Sequence, residues 1–260
     1  MRILTCLKPV PEPGSVKVDP ETHTLRREGS TLVLNPPDRF ALEAAVQLAE
    51  ETGGQVVAVS MGPPNAKEIL IEALACGAEE AYLLSDRAFA GADTLATSYV
   101  LALAARKLGP FDLVVCGKVS IDGETAQVGP ELAAWLDWPS VIWVKKLSFK
   151  DEKLFLTRVT DEGEEDLWLK LPAVITIEPE SNDPRPPSIR RLLQARKGQI
   201  PVLTAADLGA EEAHLGLAGS PTQVLDVFTP TYEGQREVLT GSAQEVEDKL
   251  VSHLKERGLI

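Results

Sequence analysis

Residues 117 to 128, Gly117-Lys118-Val119-Ser120-Ile121-Asp122-Gly123-Glu124-Thr125-Ala126-Gln127-Val128, join an apolar run (Asp112 to Cys116) to a helical pattern around Glu131 to Leu136. The first amides of a helix lack intrahelical partners and lie at the positive end of its dipole. A phosphate group satisfies both. Gly117, Gly123 and Gly129 let backbone come close to a ligand, and Ser120, Thr125 and Gln127 supply neutral donors. Lys118 is the single cation of the stretch. The pattern therefore predicts a bound, unreacting phosphate held mainly by amides and dipole. Phosphoryl transfer would call for a Lys/Arg clamp and metal ligands. Asp122 and Glu124 oppose an anion unless they point away. Pro130 suits the first turn of a helix. A plainer reading, a turn followed by a helix, stays open, because Asp122-Gly123 is a good turn in itself. Neither a G-x-G-x-x-G after the first strand nor a G-x-x-x-x-G-K-[ST] is present.

The elements that would position this loop alternate. Ile3 to Leu7, Gln55 to Ser60, Ala81 to Leu84, Asp112 to Cys116 and Val141 to Val144 read as buried strands. Helical patterns fill the gaps. One runs from a cap at Asp38 or a neighbour to about Glu51, another from Asn65 to Cys76, a third from Asp93 or Thr94 to Leu108. This alternation predicts an α/β fold, a Rossmann-like parallel sheet with helices on both faces. Ligands in such sheets sit beyond the carboxyl ends of the strands, here Cys6-Leu7-Lys8, Val59 to Gly62 and Gly117 to Ser120. From Lys145 the rhythm becomes a small antiparallel extension: Leu147 to Phe149, Leu154 to Val159 and Asp166 to Leu171, before a last apolar strand, Pro172 to Ile177. A proline-rich loop and a short helix at Ile189 to Arg196 follow. The expected division is a nucleotide-binding domain over 1–184, a loop and helix over 185–200, and a C-terminal arm over 201–260. The arm ends in a helix with a Ser242/Glu245 capping box and a Val246, Leu250, Leu254 stripe. Such an arm is expected to lie on another subunit; folding back on its own domain is the alternative.

A formal net charge of −13 argues against nucleic acid and anionic membrane as bulk partners. No run approaches a membrane span, the start lacks a signal-peptide pattern, and Cys6, Cys76 and Cys116 have no metal or disulfide spacing. A soluble, cytoplasmic protein without a metal site is expected. No nucleophile–base pair or carboxylate dyad stands out. Asp38 and Glu43 suit a helix start electrostatically, and the four tryptophans read as packing residues.

The chain resembles the beta (small) subunit of electron-transfer flavoprotein. The resemblance rests on LKPVPEPGSVKVD, NPPDRFALEAAVQLAEETGGQVVAVSMGP, ALACGAEEAYLL, DLVVCGKVSIDGETAQVGPELAAWLDWP and LKLPAVITIEPESNDPRPPSIRRLLQARK, in that order. It implies a heterodimer whose alpha subunit holds most contacts to a redox-active FAD, while the beta subunit buries a structural AMP. On the adenosine side it implies Cys6, Asn35, Pro36, Pro37, Asp38 and Met61; on the phosphate side, Gly117 to Val128. The Asp122-Gly123-Glu124 form looks like members in which a second FAD replaces AMP and electron pairs are split, so AMP and FAD both remain open, with AMP preferred. The loop PVPEPGS is implied to approach the flavin ring.

Arg185, Arg190, Arg191, Arg196 and Lys197 share a segment with no acid in it. The resemblance makes this segment the docking element for acyl-CoA and other flavin dehydrogenases, with Ile189 as apolar anchor. Electrons would then leave for a quinone oxidoreductase. An electron carrier subunit, not an enzyme, is the reading. A stand-alone adenine-nucleotide sensor of the universal-stress type would end near residue 150. An ATP-pyrophosphatase would need a serine- and glycine-rich loop where Lys8 to Pro13 stand.

Overall fold

The computed structural model of the chain describes residues 1–12, 17–18, 25–26, 32–225 and 237–260. Pro13, Gly14, Ser15 and Val16 of the PVPEPGS loop and its neighbour lie outside the described residues.

The first strands are β1 (Arg2–Cys6), β2 (Pro9–Pro11), β3 (Lys17–Val18), β4 (Leu25–Arg26) and β5 (Leu32–Leu34); β2 pairs with β5 and β3 with β4, both antiparallel. Then α1 (Pro36–Thr52), β6 (Gln55–Met61), α2 (Lys67–Cys76), β7 (Glu80–Leu84), α3 (Thr94–Leu108), β8 (Leu113–Gly117) and α4 (Val128–Leu136) alternate. The chain continues through β9 (Ser140–Lys150), β10 (Lys153–Thr160), β11 (Gly163–Leu169), β12 (Ala173–Ile177), α5 (Ile189–Lys197), β13 (Val202–Leu203), α6 (Ala205–Leu208) and α7 (Ala243–Glu256).

A nine-stranded sheet runs in the order β11-β10-β9-β12-β8-β1-β6-β7-β13. It is parallel from β9 through β13 and antiparallel from β9 to β11. The central strands alternate their side chains between two helical layers. Ile3 and Leu7 meet Leu42, Ala45, Ile69 and Leu70 of α1 and α2. Leu4 and Cys6 meet Val100, Ala104, Leu132 and Ala133 of α3 and α4. Each such aliphatic side chain contributes about 1.5–3 kcal/mol on leaving water, which is why short apolar strands suffice to hold both layers. The predicted Rossmann-like α/β architecture is the one observed.

Three details differ from the reading of the sequence. Val141 to Val144 and Leu147 to Phe149 belong to one continuous strand, β9. The charged pair Lys145-Lys146 marks the point where β9 leaves the buried parallel sheet for the half-exposed hairpin, not a break. Residues 201–225, grouped with the arm on sequence, add β13 to the edge of the sheet and bury Leu208 and Leu215 against the α3/α4 layer. The first unit accordingly runs from Met1 to Asp226 and the second from Val227 to Ile260. Trp135 and Trp138 pack on the core as expected, but Trp168 is 62% exposed on β11.

Within the second unit, Ser242 and Glu245 form the predicted capping box at α7. No side chain of α7 is buried, the Val246, Leu250, Leu254 stripe included. No helix among the described residues is long and apolar enough to cross a membrane, and the described residues hold no cluster fit for a metal ion. All three cysteines are free and buried.

Candidate functional site

The chain steps outward from β1 to β6 and β7, then returns to place β8 on the other side of β1. That reversal opens a crevice between the carboxyl ends of β1 and β8, the place where open α/β sheets bind ligands. Three segments meet there: Leu7-Lys8 after β1, the Asn35 entry to α1, and 117–127 after β8.

Asn35 joins them. Its backbone N–H donates to Lys8 O (3.0 Å). Its Nδ2 donates to Val119 O and to Asp38 Oδ1, both at 2.9 Å, and its Oδ1 accepts from the Ile121 N–H at 3.1 Å. The side chain is therefore committed to tertiary bonds and does not cap α1. Asp38 is no cap either. The helix opens two residues earlier, at Pro36 and Pro37, where a missing N–H does no harm. The Asp38 carboxylate instead turns inward and accepts from the Lys8 N–H at 2.7 Å. Burial raises its pKa to about 7, against the lowering pull of Lys8 and Asn35; the Asp122 charge adds to the rise.

Gly117 makes the close approach of β8 to α1 possible. A Cβ built on it would sit 2.2 Å from Asp38 Oδ1 and 3.0 Å from the Asp38 N. Gly129 does the same for α4 over β12, where a Cβ would meet Thr176 Cγ2 at 2.4 Å. Cys6 and Cys116 are register partners on β1 and β8. A thiol hydrogen bond between them, with burial, holds the Cys6 thiol well above its usual range. Met61 ends β6 and packs half-buried against the α3/α4 layer.

The loop itself is mostly exposed from Ile121 to Thr125. Its first half is closed by protein: Lys118 N–H donates to Ile177 O, and the Gly123 and Glu124 amides donate to Ser120 O. Its second half is not. The amides of Thr125, Ala126, Gln127, Val128 and Gly129 make no hydrogen bond to another group among the described residues. Glu124 and Ala126 take positive φ, 49° and 56°. Gln127 follows at φ −95° and ψ −29°. Successive residues of opposite φ turn neighbouring amides toward one point, the arrangement that binds anions. The start of α4 adds its dipole. Thr94 at the head of α3 holds Gln127 Oε1 at 3.3 Å and Glu131 Oε1 at 3.1 Å, so both side chains are drawn sideways.

The cation of the site is not the one the sequence suggested. Lys118 turns away to Glu178 (2.9 Å) and lies 4.8 Å over the Trp143 ring. Lys8, from the β1 end, reaches across the crevice to Asp122 Oδ1 (2.6 Å) and Ser120 Oγ (3.1 Å). Burial pushes the Asp122 carboxyl up, but the Lys8 ammonium outweighs it and the net shift is downward. A lysine more than a hundred residues from its partner carries no local signal. The strand-end rule was the one clue to it.

On the far side of α2, α5 exposes Ile189 at 76% and Leu193 at 56%. Arg190, Gln194 and Lys197 surround them in a shallow surface depression. Two cations of the basic segment do not belong to this face. Arg185 binds Glu43 and Glu50 of α1, and Arg191 donates to Leu74 O and Ala78 O at the end of α2. The outward set reduces to Ile189, Leu193, Arg190, Arg196 and Lys197.

The electron transfer flavoprotein domain family matches residues 22–208. The chain is 46% identical to the electron transfer flavoprotein subunit beta of Thermoanaerobacterium thermosaccharolyticum, over the whole of both chains. It is 45% identical to the caffeyl-CoA reductase–Etf complex subunit CarD of Acetobacterium woodii, again over the whole of both. It is 40% identical to protein FixA of Bradyrhizobium diazoefficiens, covering 96% of this chain and 90% of the other. With the fold, the crevice and these matches agreeing from end to end, the chain belongs to the electron-transfer flavoprotein beta subunits, a family of electron carriers.

Proposed function

We propose that this chain pairs with an alpha subunit bearing a redox-active FAD and holds an AMP of its own as part of the scaffold. Electrons enter from flavin dehydrogenases such as acyl-CoA dehydrogenases and leave to a quinone oxidoreductase. The observation that carries the nucleotide reading is the row of unpaired amides from Thr125 to Gly129 at the start of α4. The phosphate would rest there. Cys6, Asn35 to Asp38 and Met61 would flank the adenosine. Main-chain donors suit a group that stays bound and does not react. When present, the alpha-subunit flavin supplies the redox chemistry; the residues of this chain orient and brace. The arm helix α7, with no side chain buried, is suited to lie on the alpha subunit.

One observation favours a second reading, an FAD in place of AMP. A Cβ on Gly123 would touch only Ser120 Oγ, at 3.4 Å, so the loop is open on that side and a longer ligand could extend there. The deciding experiment is a nucleotide inventory of the purified complex, denatured and analysed by absorbance and mass spectrometry. One FAD and one AMP per heterodimer are expected. Two FADs and no AMP would replace the first reading by the second. No adenine nucleotide beyond one FAD would overturn both.

For α5 we propose docking to a dehydrogenase that offers an apolar pocket with an acidic rim. An exposed apolar pair ringed by cations gives affinity through the knob and orientation through the charge. Ile189→Ala should lower kcat/KM for reduction by the dehydrogenase roughly tenfold, the scale of a lost interface anchor. FAD content should not change. Unaltered kinetics would remove the anchor.

A further inference from the structure

The helix α5 lies on the domain without burying any side chain. Apolar packing, which fixes most helices in place, therefore does little to set its tilt. Polar bonds do that instead, and they gather at its amino end. Arg185 Nε and Nη2 donate to Glu43 Oε2 (2.9 Å) and Oε1 (3.1 Å). Its Nη1 and Nη2 donate to Glu50 Oε1 (2.6 Å) and Oε2 (3.0 Å). Its backbone N–H donates to Glu43 Oε2 (3.1 Å), and its carbonyl receives the Cys76 thiol at 3.7 Å. Beyond it, the Ser188 N–H donates to Ala75 O at 3.0 Å. One guanidinium thus spans two carboxylates one helical face apart on α1. Glu43 is only 4% exposed and depends on this partner. Burial raises the Glu43 carboxyl, but the Arg185 bonds prevail and keep it below the usual range.

We propose that Arg185 is a positioning residue for partner docking. By clamping the chain before α5 to Glu43 and Glu50, it sets the angle at which Ile189 and Leu193 project together. This rests on the reading of α5 as the docking surface. The planar fork of arginine is what the geometry uses; a lysine would keep the charge near Glu43 but could not span both carboxylates. Glu50, 61% exposed on its side chain, can be altered with little threat to the fold.

The test uses the purified two-subunit complex as electron acceptor, at varied concentration, with a flavin dehydrogenase as donor. Arg185→Lys and Glu50→Gln should each raise KM for the complex, the former roughly tenfold and the latter by less, with kcat and FAD content unchanged. Hydrogen exchange should quicken over residues 189–197 and nowhere else. Ile189→Ala is run beside them. If Ile189→Ala raises KM while neither clamp variant does, the positioning role falls and the docking reading stands. If Ile189→Ala leaves KM unchanged, both fall. A drop in kcat or flavin content in the clamp variants would make Arg185 a general structural residue and overturn the proposal as well.

Discussion

Replacing Gly117 by alanine is expected to lower the thermal midpoint of the complex by roughly 4–10 °C and to release its adenine nucleotide. The added methyl would lie 2.2 Å from Asp38 Oδ1, 3.0 Å from Asp38 N and 3.0 Å from the Pro37 carbonyl carbon. Two of these three atoms are backbone, at the start of α1, so no side chain can simply swing aside. Overpacking of this kind costs about 1–3 kcal/mol, and each kcal/mol shifts the midpoint of a domain this size by about 2–4 °C. The damage is not confined to stability. Moving the start of α1 away from β8 stretches the Asn35 bonds to Val119 O and Ile121 N, which hold the loop in register with the crevice. Differential scanning fluorimetry and a nucleotide assay check both parts. Gly123→Ala is the contrast, since its Cβ would meet only Ser120 Oγ at 3.4 Å. Equal midpoints and equal nucleotide content for the two variants would refute the wedge.

The second large effect is a pH dependence that Asp38 imposes on folding. Its carboxyl has a pKa of about 7 against 3.8 for the free side chain, chiefly through burial. The groups facing it are the Lys8 ammonium, which lowers it, the Asp122 carboxylate, which raises it, and the Cys6 thiol on β1. Below about pH 4 native and unfolded chains both carry the proton. Between about pH 4 and 7 the native chain keeps a proton that the unfolded chain has lost, so stability falls as pH rises. Above about 7 both are ionised and the full penalty is present. At 1.36 kcal/mol per unit the window is worth on the order of 4 kcal/mol. Asp38→Asn removes this titration. The wild-type advantage over the variant, read from urea midpoints, should therefore shrink steadily from about pH 4.5 to 7.5. Parallel curves for the two proteins would show that Asp38 does not titrate in that range.

The periodic parts of the fold were legible because their causes are local. Alternating apolar runs and helical stripes placed β1, β6, β7, β8 and α1 to α4 within a few residues, and the Asn35-Pro36-Pro37 break marked the entry to α1. The strand-end rule then put Cys6, Met61 and Gly117 at one rim. What failed to show was long-range polar pairing. Nothing in Asp38 announces that its carboxylate is bound by a backbone 30 residues away rather than capping its own helix. Lys118 stands in the loop but serves Glu178, while Lys8 serves the loop from another strand. Arg185 and Arg191 sit in a basic run, yet their partners lie on α1 and at the end of α2. β13 has only two residues, too short for any period, and owes its strand to the open edge of β7.

The burial of Cys6, Cys76 and Cys116 has a use outside the native chemistry. Thiol-directed reagents attack the thiolate and need access, and burial denies both to the native side chains. A single cysteine introduced at Leu193, on the open side of α5, would thus be the preferred point of attachment for a maleimide dye. Fluorescence anisotropy from that dye would follow association with an electron donor in real time, without removing any native thiol.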